Sequence, residues 1–148
     1  MKKLGICTAA ALGLTIALVG CGGGGRGELH DGTYTAQSMV WEDTEEGNGS
    51  GYGVITVTVA DGKITEAEFV TYEPDGTIKD ESYGMSGGKI ANQDFYNKAQ
   101  RAVAANAEYC KQLVAVQNPD GVDVISGATI SHGEFVEAAN LALDEAAK

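Results

Sequence analysis

Cysteine is nearly missing from this 148-residue chain, which has only Cys7, Cys21 and Cys110. None of them stands in a C-x-x-C or C-x-x-C-H pattern, so a dithiol redox pair and a haem attached through such a motif are excluded. Histidine is equally scarce. His30 and His132 have no second histidine and carboxylate at metal-ligand spacing, so no bound metal is expected. Positive charge is the third shortage: ten basic residues face twenty-one acidic ones, for a net charge of −11. Such a field repels phosphate backbones, which excludes nucleic acid as a partner. Long apolar runs are absent too, apart from one at the N-terminus, and the length suits one domain.

That single run is Ile6 to Val19, "ICTAAALGLTIALV", preceded by Lys2-Lys3 and followed by Gly20-Cys21. A short positive region, an apolar stretch and small residues before a cysteine make a signal peptide over residues 1–20. Leu18-Val19-Gly20-Cys21 resembles the lipobox of bacterial lipoproteins, which implies cleavage before Cys21 and a lipid on its sulfur. An uncleaved transmembrane helix is the competing reading, but the run is near the shortest that spans a bilayer. Lipidation makes the protein membrane-anchored and extracytoplasmic, at the cell surface or in the periplasm. "CGGGGRGELH", residues 21–30, is a flexible glycine-rich tether, and the folded domain occupies residues 31–148. Loss of Lys2 and Lys3 with the leader makes the mature chain two units more acidic. Cys110, among alanines and valines, is expected to be buried and inert.

Within the domain, Asp31 to Trp41 begins with a turn dipeptide and continues as a strand, and Glu42 to Gly51 is an acidic loop. Tyr52 to Tyr72 is the clearest hairpin. Two alternating runs flank Asp61-Gly62, with Ile55, Val57 and Val59 facing the core and Val54, Thr56 and Thr58 facing outward. Glu73 to Gln93 is turn-rich, and a loop of that length is more often functional than incidental. Asp94 to Val116 has helical spacing, with a stripe of Phe95, Ala99, Ala102, Val103, Cys110 and Val114. Asn118-Pro119-Asp120-Gly121 stops it. The last segment is a second helix, with Phe135, Val136, Ala139, Ala142 and Leu143 on its apolar edge. Ser131 and Glu134 fit a capping box that makes Ser131 the N-cap. The fold class is α+β, a small antiparallel sheet packed by two helices, preceded by the signal peptide and tether.

Chemistry points to "DVISGAT", Asp123 to Thr129. With Ser131 as the cap, the Thr129 hydroxyl lies at the helix mouth, where unpaired N–H groups and the positive dipole end favour a phosphate. Gly127 and Ala128 are small enough to let a ligand approach. A plain connection would use the same residues, so spacing alone leaves both readings open. The seven residues, however, match the D-x-x-S-G-A-T signature of the FMN-binding domain family, which occurs in the C subunit of the sodium-translocating NADH:quinone oxidoreductase and in small exported flavoproteins. "DGTYTAQS", "GVITVTVADGKITEAEF" and "DGVDVISGATISHGEFVEAANLAL" extend the resemblance over nearly the whole mature chain.

This resemblance implies a phosphoester between Thr129 and FMN, made by a flavin transferase that uses FAD as donor and magnesium as its own cofactor. Ser126, Gly127 and Ala128 would shape the turn. Asp123 would be read by the transferase, or would organise the loop by accepting N–H bonds. Tyr83 and Met85 in the long loop become candidates for contact with the flavin ring, ahead of Trp41, Tyr52 and Tyr72. "YGMSGGK" itself is no phosphate loop: Tyr83 stands where the first glycine belongs, and Ile90 follows Lys89. His132 is expected to be an exposed helical histidine and His30 to be uninvolved. The implied function is a membrane-anchored electron carrier working between donor and acceptor proteins, not a stand-alone enzyme. Its rivals are an FMN-relay subunit of an exported reductase with a separate FAD-containing chain, and a lipoprotein without redox activity.

Overall fold

The computed structural model of the chain describes residues 26–42 and 49–148. The leader, Cys7, the proposed anchor Cys21 and most of the acidic loop lie outside the described residues. Three strands, β1 (Gly32–Gln37), β2 (Tyr52–Ala60) and β3 (Lys63–Tyr72), precede two helices, α1 (Gln93–Val116) and α2 (Thr129–Ala146), with a 3₁₀ turn at Pro119–Gly121 between them. The sheet is antiparallel in the order β1-β2-β3. No helix among the described residues is long and apolar enough to cross a membrane.

The hairpin forms as its residues require. Asp61 (φ 52°) and Gly62 (φ 70°) both take positive φ, the pair of angles that matches the strand twist in a two-residue turn. Ile55, Val57 and Val59 are buried, whereas Val54, Thr56 and Thr58 are only half-buried. On the outer face the hydroxyls of Thr35 and Thr56, paired across β1 and β2, lie 3.0 Å apart. Both helices lie on the other face, α1 against β3 and α2 against β1 and β2, so one hydrophobic core serves the domain.

α1 starts one residue earlier than its periodicity suggests, at Gln93, because the Asn92 side chain accepts the Phe95 N–H. Its buried stripe is Ala99, Ala105, Asn106, Tyr109, Cys110 and Leu113. Phe95 is exposed and Ala102, Val103 and Val114 are half-buried, because the helix turns a polar-looking Asn106-Tyr109 edge toward the sheet. Gln117 ends the helix in the left-handed conformation (φ 62°). Its side chain bonds both the N–H and the C=O of Ile64, each at 2.8 Å, and so joins the helix end to β3.

Cys110 is a free buried thiol, pushed up to about 11 chiefly by burial, which makes it inert. Residues 26–30, placed in the tether by composition, rest on α2 instead. Arg26 Nε bonds Asp144 at 2.7 Å, the His30 N–H bonds the Ala146 carbonyl at 2.8 Å, and Leu29 packs on the core. An arginine and a leucine among the glycines supply contacts that a pure glycine tether lacks.

Candidate functional site

Thr129 is the first residue of α2 and is exposed. The N-cap is Ala128, not Ser131, and the helix has no side-chain cap. The first intrahelical bond runs from the His132 N–H to the Ala128 carbonyl at 2.9 Å. Ser131 is therefore buried in the first turn and Glu134 points into the fold, so the expected capping box does not form. The helix begins early because the preceding turn closes early. The Ala128 N–H reaches the Ile125 carbonyl at 3.0 Å across Ser126 and Gly127, and Gly127 has φ 84°, the angle a type II turn needs at its third residue. Starting the helix there brings Thr129 closer to its mouth than the sequence suggests. The N–H groups of Thr129, Ile130 and Ser131 precede the first helical bond.

Three side chains from elsewhere hold this loop. The Tyr109 hydroxyl donates to the Ala128 carbonyl at 3.0 Å and accepts the Ile125 N–H at 3.2 Å. Gln112 accepts the Asp123 N–H at 2.8 Å. His132, expected to be exposed, is half-buried, with Nε2 2.7 Å from the Val122 carbonyl and its ring edge-on to Tyr109. It clips the loop to the helix. We expect Tyr109→Phe to keep the ring packing but lose both bonds, leaving the Ile125 N–H without its partner. The cost should be about 1–2 kcal/mol in urea unfolding; an unchanged midpoint would show that the hydroxyl does not hold the turn.

Thr129 and Ile130 stand between two clefts. The first, about 240 Å³, is walled by Tyr83, Phe95, Val103, Lys79 and Lys98 together with Gly127 and Ala128. The second, about 500 Å³, is mostly apolar and lies against Met39, Val40 and Trp41, with Glu134 and Glu137 at its side. Arg101 adds a third cation by the turn: its Nε is 3.8 Å from where a Gly127 side chain would begin. Three of the few basic residues in an acidic chain thus gather at this place.

Of the residues singled out from the sequence, Thr129, Gly127, Ala128 and Tyr83 meet at the first cleft. Ser126 is exposed within the turn and Asp123 is exposed upstream of it; the hydrogen bonds of Asp123 among the described residues are through its backbone. Met85 is half-buried and does not line either cleft, because the turn after Tyr83 carries it away. Trp41 does line the second cleft, while Tyr52 and Tyr72 stack on each other with centroids 5.2 Å apart.

The sequence does not single out Lys79, and it marks Glu134 only as half of a capping box. Lys79 is 7 % exposed and lies over the Tyr83 ring, 5.2 Å from its centroid. It passes so close to Gly51 (φ 151°) that a side chain there would meet its Nζ at 2.6 Å. Gln100 fixes the loop above it, donating to the Asp80 and Tyr83 carbonyls at 3.0 and 2.9 Å. Burial holds the Lys79 ammonium below the usual lysine range, against the attraction of Glu134 and Glu73. Burial likewise raises the Tyr83 phenol, with Glu73 and Glu134 adding to the effect.

A sequence profile of the FMN-binding domain matches residues 48–144. A crystal structure of a Clostridium perfringens protein is similar to the chain at 26 % identity with a TM-score of 0.58, over 80 % of this chain and 88 % of that one. A solution structure of a Clostridium thermocellum protein is 26 % identical over 80 % of this chain and 92 % of its own, with a TM-score of 0.41. No curated protein matches.

Proposed function

The chain belongs to the FMN-binding domain family, and on that footing we propose that it is an extracytoplasmic electron carrier with FMN joined to Thr129 through a phosphoester. The observation that carries this reading is the exposed Thr129 hydroxyl at the start of α2, between two clefts and beside Lys79, Lys98 and Arg101. The residues present fit the group. A phosphodiester anion gains from the unpaired N–H groups and the positive dipole end of α2, and the nearby cations add to that. Tyr83 and Val103 offer apolar surface to a planar ring, and the buried Lys79 ammonium offers a donor.

When bound, FMN supplies reversible electron transfer; the chain supplies attachment, orientation and field. Tyr109, Gln112 and His132 keep the turn in one shape, so the attachment oxygen is presented at a fixed place. A flavin transferase must read that place, and the exposed Asp123 and Ser126 are open to it. Covalent attachment suits an exported protein, since a lost cofactor could not be replaced there from cytoplasmic synthesis. A lipid on Cys21 and the glycine run after it would let the domain swing between donor and acceptor proteins at the membrane.

The test is coexpression with a flavin transferase, followed by intact-protein mass analysis after denaturation. One FMN phosphoryl adduct per chain is the expected result, and an unmodified chain in the presence of active transferase would refute the reading. The anchor is checked separately. Cys21→Ser should move the protein out of the membrane fraction or leave it unprocessed, whereas normal cleavage with unchanged membrane association would count against lipidation.

A further inference from the structure

Lys79 and Glu134 are oppositely charged, more than nine-tenths buried, and do not form an ion pair. Lys79 is 7 % and Glu134 5 % exposed. Both carboxylate oxygens of Glu134 are buried without a hydrogen-bond partner. The Lys79 ammonium makes its contact with the Tyr83 ring and no hydrogen bond among the described residues. A carboxylate buried without a partner is costly, and a fold that wanted only stability would place an apolar residue at position 134. The two groups flank the attachment point: Lys79 lines the first cleft, Glu134 the second, and Thr129 and Ile130 line both.

We propose that Lys79 and Glu134 set the reduction potential of the flavin on Thr129 in opposite directions, Lys79 favouring the reduced ring and Glu134 disfavouring it. The inference rests on the FMN reading above. A ring that gains electrons gains negative charge, so a fixed cation beside it makes reduction easier and a fixed anion makes it harder. In a site of low dielectric these fields are poorly screened. Neither residue exchanges atoms with the cofactor; the pair acts through its charge.

The arrangement is also tunable by pH. Burial pushes the Glu134 carboxyl up to about 7, against the opposing pull of Lys79, so its charge changes near neutrality. The other ionisable groups facing the pair are Glu73 at the end of β3, Tyr83 in the loop, Lys98 and Arg101 on α1, and Glu137 on α2, which accepts the Met39 N–H at 3.2 Å. As pH rises through about 7 the Glu134 charge appears, and the potential should fall more steeply there than on either side.

The experiment is a spectroelectrochemical titration of the flavinylated protein, with flavin load checked by intact mass and fold by circular dichroism. Above neutrality, Glu134→Gln should raise the potential and Lys79→Met should lower it, each by at least tenfold in the two-electron reduction equilibrium, which is about 30 mV. Glu134→Gln should also lose the steep segment near neutrality. In the flavin-free protein, Lys79→Met should move the Glu134 carboxyl titration, followed by carbon NMR, to higher pH. If Lys79→Met fails to fold, the Glu134→Gln profile and the wild-type titration of Glu134 decide alone. Unchanged potentials in loaded, folded variants, shifts of the same sign, or a Glu134 that titrates as an ordinary exposed glutamate would overturn the proposal. An unloaded wild-type chain would instead overturn the FMN reading, so the two failures are distinguishable.

Discussion

Thr129→Ala is expected to abolish covalent flavin completely and to leave the domain folded. The threonine is exposed at the first position of α2, outside the hydrophobic core, and none of its side-chain atoms is among the bonds that hold the turn. Those bonds belong to Tyr109, Gln112 and His132, which stay in place. Alanine is also a better helix former than threonine, so stability should move by no more than about 0.5 kcal/mol. The attachment oxygen, by contrast, has no substitute. Ser131 is buried within the first turn, and Ser126 sits on the far side of Gly127. In-gel flavin fluorescence after denaturation, with fragmentation to locate the adduct, reads the outcome. Thr129→Ser keeps an oxygen at the same place and should retain part of the labelling. Covalent flavin on the alanine variant would sink the assignment of Thr129, and flavin found on Ser126 would move it to the neighbouring turn.

The parts of this structure that were legible in the sequence are those whose cause is local. β2 alternates apolar and polar residues over its length, and Asp61-Gly62 is the dipeptide that tolerates two positive φ angles, so strand, turn and core face could all be read. The start of α2 could not, because its cause is distant. Ser131 and Glu134 carry a capping pattern, yet the helix is capped three residues earlier, at Ala128, where Tyr109, nineteen residues before it, holds the turn with its hydroxyl. The stripe on α1 was shifted for a similar reason: Asn106 is buried because its amide donates to the Thr71 hydroxyl at 3.0 Å on β3, a partner no helical periodicity reveals. In the site, the motif carried Thr129, Gly127 and Ala128, and Tyr83 came from its loop. Lys79 had no signal at all. A lysine in a polar, turn-rich stretch reads as surface, and it is buried here only because Gly51 leaves room for it and Gln100 fastens the loop above. Glu134 was visible, but its spacing from Ser131 pointed to a cap and away from a buried charge.

Phe135→Ala is expected to destabilise the domain by about 3–5 kcal/mol, measured as a shift of the urea midpoint at constant slope. The side chain is 0 % exposed on the inner face of α2. Its ring meets Phe69 of β3 edge-on at 5.1 Å and Tyr109 of α1 at 5.5 Å, so one residue joins both helices to the sheet. Small domains have about 5–15 kcal/mol of stability in all, so the loss takes a large share of it. Leu141→Ala on the same helix is the control. That leucine is 47 % exposed, and its loss should cost well under 1 kcal/mol. The consequence reaches the site through Tyr109, whose ring leans on Phe135 and whose hydroxyl holds the turn before Thr129. Flavin attachment by the transferase should therefore slow in Phe135→Ala even under conditions where the chain remains folded, and by more than in Leu141→Ala. Equal stability of the two variants would show that α2 is not anchored through this ring. Equal attachment rates with unequal stability would show that the turn is held by its own bonds alone, independent of the packing beneath it.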